Sequence, residues 1–257
     1  MAYIPENWTN KNQRAALAVE HTKVVTEKYR EEIAASIENT VLYEKSEPCE
    51  MRKEYKTRIC IIDEDTVGAI FRVPGEKVCA LNFASYKNPG GMFLNGSRAQ
   101  EECLCHESFL YNVLKEFPDY YRWNFQHANR SLYTDRALYS PNIVFERDGQ
   151  KKICDILTCA APNKSAAQQY CDVSNAENTQ ALQSRIQFLL SVAAQEKATV
   201  LILGAYGCGV FGQDPAEVAS IFRDTVRLRF SGVFDMIVYA IPEGNNGNLA
   251  AFRQAFR

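Results

Sequence analysis

The chain has no charge excess of either sign. Its 257 residues carry 29 Lys+Arg against 31 Asp+Glu, a formal charge of -2. A protein that grips nucleic acid indiscriminately normally shows a basic stripe, so that class is excluded, and sequence-specific nucleic-acid binding is not expected. No run approaches the roughly 18 to 20 consecutive apolar residues of a membrane span. Residues 1–14 hold Glu6, Trp8 and several Asn and lead into no apolar secretory segment. A soluble, cytoplasmic protein without a membrane partner is expected. A disulfide framework is missing too: the nine cysteines are odd in number, and Cys60, Cys79, Cys154 and Cys159 lie in apolar, β-type runs, as buried free thiols do. Cys103, Cys105 and His106 have no second Cys/His pair at zinc-site spacing, so no metal is expected. What remains is ordinary globular material, 46% hydrophobic and 23% charged.

Apolar periodicity organises the chain. Leu17, His21, Val25, Tyr29, Ile33 and Ile37 recur every four residues and predict one amphipathic helix over residues 10–38. A polar connector, 44–56, leads to β-type runs at 59–62, 67–71 and 78–83, the last two separated by the turn signal Pro74-Gly75. Ala99, Cys103, His106, Leu110, Val113 and Phe117 predict a helix that Pro118 ends. Residues 119–140 show no clear period and read as a long loop with one helical turn. Strands at 143–145 and 153–159 flank the hairpin-like Arg147-Asp148-Gly149. A helix over 175–196, a strand at 200–203, a helix opened by Asp214-Pro215 and a strand at 236–241 complete the order. Strands alternating with helices predict parallel pairing, with antiparallel strands added around 59–83. The fold class expected is therefore a single α/β domain with a mixed sheet.

Two glycine-containing loops fall at strand ends, where such sheets bind ligands. The first runs from Asn82 through Asn88, Gly90 and Gly91 to Gln100, Glu101 and Glu102. Ser97 and Gln100 match a capping box, and carboxylates in a first helical turn offset the helix dipole, which is one reading of these residues. In the other, the glycines admit a ligand and one glutamate turns into the cleft while the second is held at its edge. Adjacent helical residues point about 100° apart, so the two cannot share one solvated face. A partly desolvated glutamate there would hold a proton near neutral pH. The second loop, residues 204–212, spells G-x-G-x-x-G from Gly207 to Gly212. A dinucleotide-binding reading is weak, since the loop is far from an opening βαβ unit and Asp235 precedes the next strand instead of ending it. A phosphate nest of backbone N–H groups and a plain tight turn both stay open.

These residues resemble the microbial-type poly(ADP-ribose) glycohydrolases and their macrodomain-fold relatives. The matches are residues 81–102, with their glycines followed by Gln-Glu-Glu, and residues 204–215, supported by Tyr139-Ser140-Pro141 and residues 158–163 and 238–241. The resemblance implies a macrodomain-like mixed sheet sandwiched between helices. It would be one catalytic domain over 1–257, with an N-terminal helical extension (1–56) and an α/β core (57–257), working as a monomer without a cofactor. It implies hydrolysis of O-glycosidic ribose bonds of poly(ADP-ribose), the partner being ADP-ribose or an ADP-ribosylated macromolecule. Glu102 would be the catalytic acid and base, and Glu101 would hydrogen-bond ribose hydroxyls. Gln100 would brace the motif, Asn88 would bind the substrate, and Gly90 and Gly91 would approach the distal ribose and phosphate. Gly207, Cys208, Gly209 and Val210 would hold the diphosphate, with Phe211 against the distal ribose or, alternatively, a core aromatic. Where the family has a third glycine this chain has Met92, whose Cβ would obstruct a backbone with positive φ or whose side chain would fill a gap. Removal of single ADP-ribose units from protein or nucleobase, or binding without catalysis, are the alternatives.

Overall fold

The computed structural model describes residues 10–45, 54–244 and 246–257. Cys49 and most of the 44–56 connector lie outside them. Seven strands form one sheet: β1 (Val41–Tyr43), β2 (Arg58–Ile62), β3 (Val78–Phe83), β4 (Ala137–Arg147), β5 (Gln150–Cys159), β6 (Val200–Leu203) and β7 (Met236–Ala240), in the order β1-β4-β5-β3-β6-β7-β2. β5, β3, β6, β7 and β2 are mutually parallel, whereas β4 runs antiparallel to β5 and to β1. The antiparallel pairing thus lies at the β4 edge and not around residues 59–83. β2 and β3 are not neighbours, because β7 and β6 stand between them.

Successive strand residues point to opposite faces, and β3 divides the core accordingly. Cys79 and Leu81 pack with α8 (Asn175–Gln195), α9 (Pro215–Arg229) and α10 (Asn248–Ala255). Val78 and Ala80 pack with α1 (Lys11–Lys28), α2 (Arg30–Asn39), α3 (Thr66–Arg72), α4 (Gln100–His106), α5 (Leu110–Leu114) and α6 (Pro118–Gln126). Helices therefore cover both faces, and α7 (Lys164–Cys171) follows β5.

Four expectations are corrected. Residues 67–71 are helical: Asp65 caps α3 by accepting the Gly68 N–H at 2.7 Å, and Val73, extended before Pro74, ends it. The helix expected over 10–38 breaks at Tyr29, whose non-helical backbone lets its buried ring meet Phe109 at 5.7 Å. The helix expected over 99–117 breaks between α4 and α5, where Ser108 Oγ donates to the Leu104 carbonyl and accepts the Leu110 N–H. Residues 119–140 hold α6, with Pro118 in its first turn, a 3-10 turn (Asn129–Ser131) and the start of β4.

Of the extension expected over 1–56, the described residues 10–45 are packed on the core. β1 pairs with β4, Ser36 Oγ donates to the Pro141 carbonyl, and Arg14 Nε donates to the Gly96 carbonyl at 2.8 Å. No helix among the described residues is long and apolar enough to cross a membrane. The eight described cysteines are free thiols.

Candidate active site

The loops that follow β3, β5 and β6 meet at the carboxyl ends of the strands around a cavity of about 470 Å³. Leaving β3, the chain turns through Gly90 and Gly91, with φ of 65° and 62°. A short 3-10 turn (Phe93–Asn95) follows, and its Phe93 ring is buried against His106, Tyr111 and His21. Then α4 begins.

The expected Ser97 cap is displaced. α4 starts after Ala99, which has no acceptor, and the Ala99 N–H instead donates to Glu102 Oε2 at 2.9 Å. Gln100 prolongs the hydrogen bonding of β3 where the strand stops: its Oε1 accepts the Phe83 N–H at 2.8 Å, and its Nε2 donates to the Leu81 carbonyl at 2.8 Å and to Thr66 Oγ1 at 3.1 Å. The amide so fixes the start of α4 to the sheet.

Both glutamates are buried, Glu101 at 3% and Glu102 at 5% exposure, and both line the cavity. The expected division into one inside and one at the edge does not hold. Glu101 Oε2 accepts the Ser85 N–H at 2.6 Å, and its Oε1 accepts from Asn82 Nδ2 at 3.1 Å. Burial pushes its carboxyl up to about 8, aided by the charge of Glu102 and opposed by the hydrogen bonds from Ser85, Asn82 and Gly90. Glu102 Oε1 accepts the Met92 N–H at 2.9 Å, so this carboxylate ties the glycine turn to the first turn of α4. A Cβ at Gly91 would stand 2.6 Å from Glu102 Oε1 and 3.0 Å from Glu101 Oε2. Only a glycine lets the loop lie this close to the pair.

Met92 has φ of -110°, so its Cβ meets no left-handed backbone, and at 46% exposure it fills no core gap. Its side chain stands on the cavity wall. Met92 therefore gives no steric argument for binding without catalysis.

Across the second loop, the N–H groups of Gly207, Gly209, Val210 and Phe211 have no hydrogen-bond partner among the described residues. Gln213 sets this loop from below. Its N–H donates to the Gly207 carbonyl at 3.0 Å, its Nε2 to the Pro162 carbonyl at 2.8 Å, and its side-chain amide pairs reciprocally with the buried Asn178 amide at 2.8 and 2.9 Å. Gly207 has φ of 76°, and a Cβ there would stand 2.9 Å from Gln213 Cγ and Ala161 Cβ. The dinucleotide reading loses its support: Gly212 packs against Ser165 at the start of α7, and Asp235 sits at the amino end of β7, paired with Arg58 at 2.6 Å.

Of the residues singled out from sequence, Asn88, Gly91, Gln100, Glu101, Glu102, Gly207, Gly209, Val210 and Phe211 line the cavity, whereas Gly90 and Cys208 do not. A Cβ at Gly90 would stand 2.9 Å from the Tyr111 ring, and Cys208 packs on the core. Phe211 belongs both to the cavity wall and to the edge of the core, 6.1 Å from Tyr133. Sequence reasoning missed Asn82, Ser85 and Gln213, and also Tyr86 and Tyr133, which stack at 4.0 Å on the cavity wall. Tyr133 lies in the aromatic stretch without periodicity and has φ of 61°, which leaves no helical or strand pattern to read. Among the described residues no three His, Cys, Asp or Glu side chains gather as metal ligands would.

Comparison with known proteins follows the same residues. The family described as microbial-type PARG, catalytic domain, matches residues 13–148, which include the first loop and α4. No curated protein matched the chain. Among solved structures, poly(ADP-ribose) glycohydrolase (PARG) from Thermomonospora curvata is 30% identical with a TM-score of 0.83, covering 95% of this chain and 100% of its own. The same enzyme bound to the inhibitor ADP-HPD gives 30%, a TM-score of 0.82, and 95% and 99% coverage. The Deinococcus radiodurans enzyme in complex with ADP-ribose is 36% identical with a TM-score of 0.80, over 88% of this chain and 97% of that one.

Proposed function

The chain belongs to the microbial-type poly(ADP-ribose) glycohydrolase family of glycosidases, and on that premise we propose that it hydrolyses the O-glycosidic ribose bonds of poly(ADP-ribose), with Glu102 as general acid and base. One observation carries the reading: a buried carboxyl pair, one member of which burial pushes up to about 8, shares a cavity with four backbone N–H groups that have no partner among the described residues. Unpaired amides on a strand-to-helix loop suit a diphosphate, and the cavity volume is within the range that holds ligands of nucleotide size. With the diphosphate on Gly207, Gly209, Val210 and Phe211, the distal ribose extends toward Gly91 and the carboxyl pair. Relatives bound to ADP-ribose and to ADP-HPD support this ligand class.

Most glycosidases set two carboxyl groups on opposite sides of the bond, with separate roles. Glu101 and Glu102 are adjacent on one helical turn, so one of them must act twice. Glu102 passes the proton that the pair holds on to the leaving oxygen as the ribose C–O bond breaks. As a carboxylate it then takes a proton from the water that adds to the ribosyl carbon. Glu101, held by Ser85 and Asn82, hydrogen-bonds the ribose hydroxyls. It keeps a proton in the pair near pH 7, which a nearby diphosphate favours further by disfavouring two carboxylate charges. The protein is read as a cytoplasmic monomer, and its described free thiols support a reducing compartment. Replacing Glu102 with Gln is expected to lower ADP-ribose release from a poly(ADP-ribosyl)ated protein by about 10² or more, with ADP-ribose binding kept. Undiminished release would overturn the assignment.

A further inference from the structure

Lys87 and Phe125 take no part in the chemistry above, yet the fold sets them side by side, with Lys87 on the cavity wall. Asn124, fully buried, bolts α6 to the first loop: its Nδ2 donates to the Tyr86 carbonyl at 2.9 Å, and its Oδ1 accepts from Arg136 Nη1 at 3.0 Å. Lys87 and Phe125 are the residues that follow the two ends of this bond, and Lys87 Nζ lies 5.2 Å from the centre of the Phe125 ring. Phe125 leaves 66% of its surface exposed, whereas Tyr120 and Tyr121 of the same helix are buried. Lys87 lines the cavity and has no ion pair among the described residues. It stands on the carboxylate side, because its N–H leans on Ser85 Oγ while the Ser85 N–H holds Glu101.

The chemistry of the polymer says what should lie there. The oxygen that leaves belongs to the adenosine ribose of the next unit, so an adenine and a diphosphate follow directly beyond the scissile bond. An exposed aromatic ring binds a base of any sequence by stacking, and an unpaired ammonium suits a phosphate. Resting on the reading under Proposed function, we propose that Phe125 and Lys87 form an acceptor-side subsite that holds the ADP-ribose unit on the leaving side of the bond. Phe125 stacks its adenine and Lys87 meets its diphosphate.

The test compares two substrates of the full chain: poly(ADP-ribose), and ADP-ribose joined to a small alcohol that carries no nucleotide. Phe125→Ala is expected to lower kcat/KM on the polymer by roughly 5- to 20-fold, the lower part of the range for base stacking, and to leave the small substrate within about twofold. Phe125→Trp is expected to restore the polymer rate. Lys87→Gln is expected to flatten the salt dependence on the polymer. Equal losses on both substrates, no loss on the polymer, or no difference between Ala and Trp would overturn the subsite. A wild-type chain that released nothing from the polymer would overturn the activity instead. The subsite would then be read from affinity for uncleaved polymer, which Phe125→Ala must weaken relative to free ADP-ribose.

Discussion

Gly91→Ala puts the closeness of the first loop to the carboxyl pair to its most direct test. The residue has φ of 62°, and a left-handed backbone costs a residue with a Cβ roughly 1 to 2 kcal/mol. The new methyl would also stand 2.6 Å from Glu102 Oε1, where real Cβ atoms are not found, so the loop or the carboxylate must move. Neither moves freely, because Glu102 is held by the N–H groups of Met92 and Ala99 at both oxygens. Strain and displaced contact together suggest a loss of roughly 1 to 3 kcal/mol, and at about 2 to 4 °C per kcal/mol for a chain of this size the Tm falls by roughly 2 to 12 °C. A misplacement near 1 Å costs about 10² in rate, so ADP-ribose release should drop by that order.

Gly209→Ala is the control that separates strain from obstruction. A Cβ there meets nothing within 4 Å, and its backbone lies outside the left-handed region, so the Tm should hold or rise slightly. The methyl nevertheless enters the cavity beside the unpaired amides and should weaken ADP-ribose binding, measured by calorimetry, by roughly tenfold. The two variants thus fail in different assays. Wild-type Tm and turnover for Gly91→Ala would refute the packing of the glycine turn on the pair.

Three further outcomes follow from the same geometry. Glu101 rises from 4.5 to about 8 on burial, so the folded chain holds a proton that the unfolded chain has lost between those values. The stability this supplies is complete below the unfolded value and lost as pH rises through the folded one, so Glu101→Gln should flatten the urea-midpoint profile over that interval; an unaltered profile refutes the shift. Gln213→Leu leaves the Asn178 amide and the Pro162 carbonyl short of partners and should cost roughly 1 to 3 kcal/mol, with weaker ADP-ribose binding. Adding Asn178→Leu should regain stability without affinity, and regained affinity would show that the pair does not set the second loop. Deleting residues 1–56 removes β1 and the Arg14 contact to Gly96, so cooperative melting and ADP-ribose release should both be lost; a truncated chain with full release contradicts this.

The fold was legible where periodicity was unambiguous. β3, β5, β6 and β7 are apolar runs of strand length, and α8 and α9 show apolar stripes behind capping residues. Residues 67–71 show the limit: five uncharged, mostly apolar residues in a row carry no period, so the Asp65 cap and Pro74 had to decide, and the latter reads equally as a turn. α7 buries only Ala167 and has no apolar stripe to betray it. The segment near Tyr133 holds Asn129, Arg130, Ser131 and Tyr133 at positive φ without a glycine, so its turn left no mark in composition.

Site residues divide along the same line, since glycines and adjacent carboxylates announce a local backbone problem, whereas Asn82, Ser85 and Gln213 matter through partners that only the tertiary fold brings near. The near balance of charge gains its sense from that second group. A cavity for a diphosphate would ordinarily be expected to carry several Lys or Arg, but here two carboxyl groups share it with one lysine, Lys87, and with amides that have no partner among the described residues. Under the proposed function, that combination suits an anion if the amides and Lys87 supply the positive end of the field and one carboxyl stays neutral. Ser85 and Asn82 pull Glu101 toward the ionised form, while burial by the glycine turn and by α4 pulls harder the other way. On the proposed function, the close approach that Gly91 permits would also keep the pair from repelling its ligand, so that recognition of the anion and storage of the proton would depend on one piece of packing.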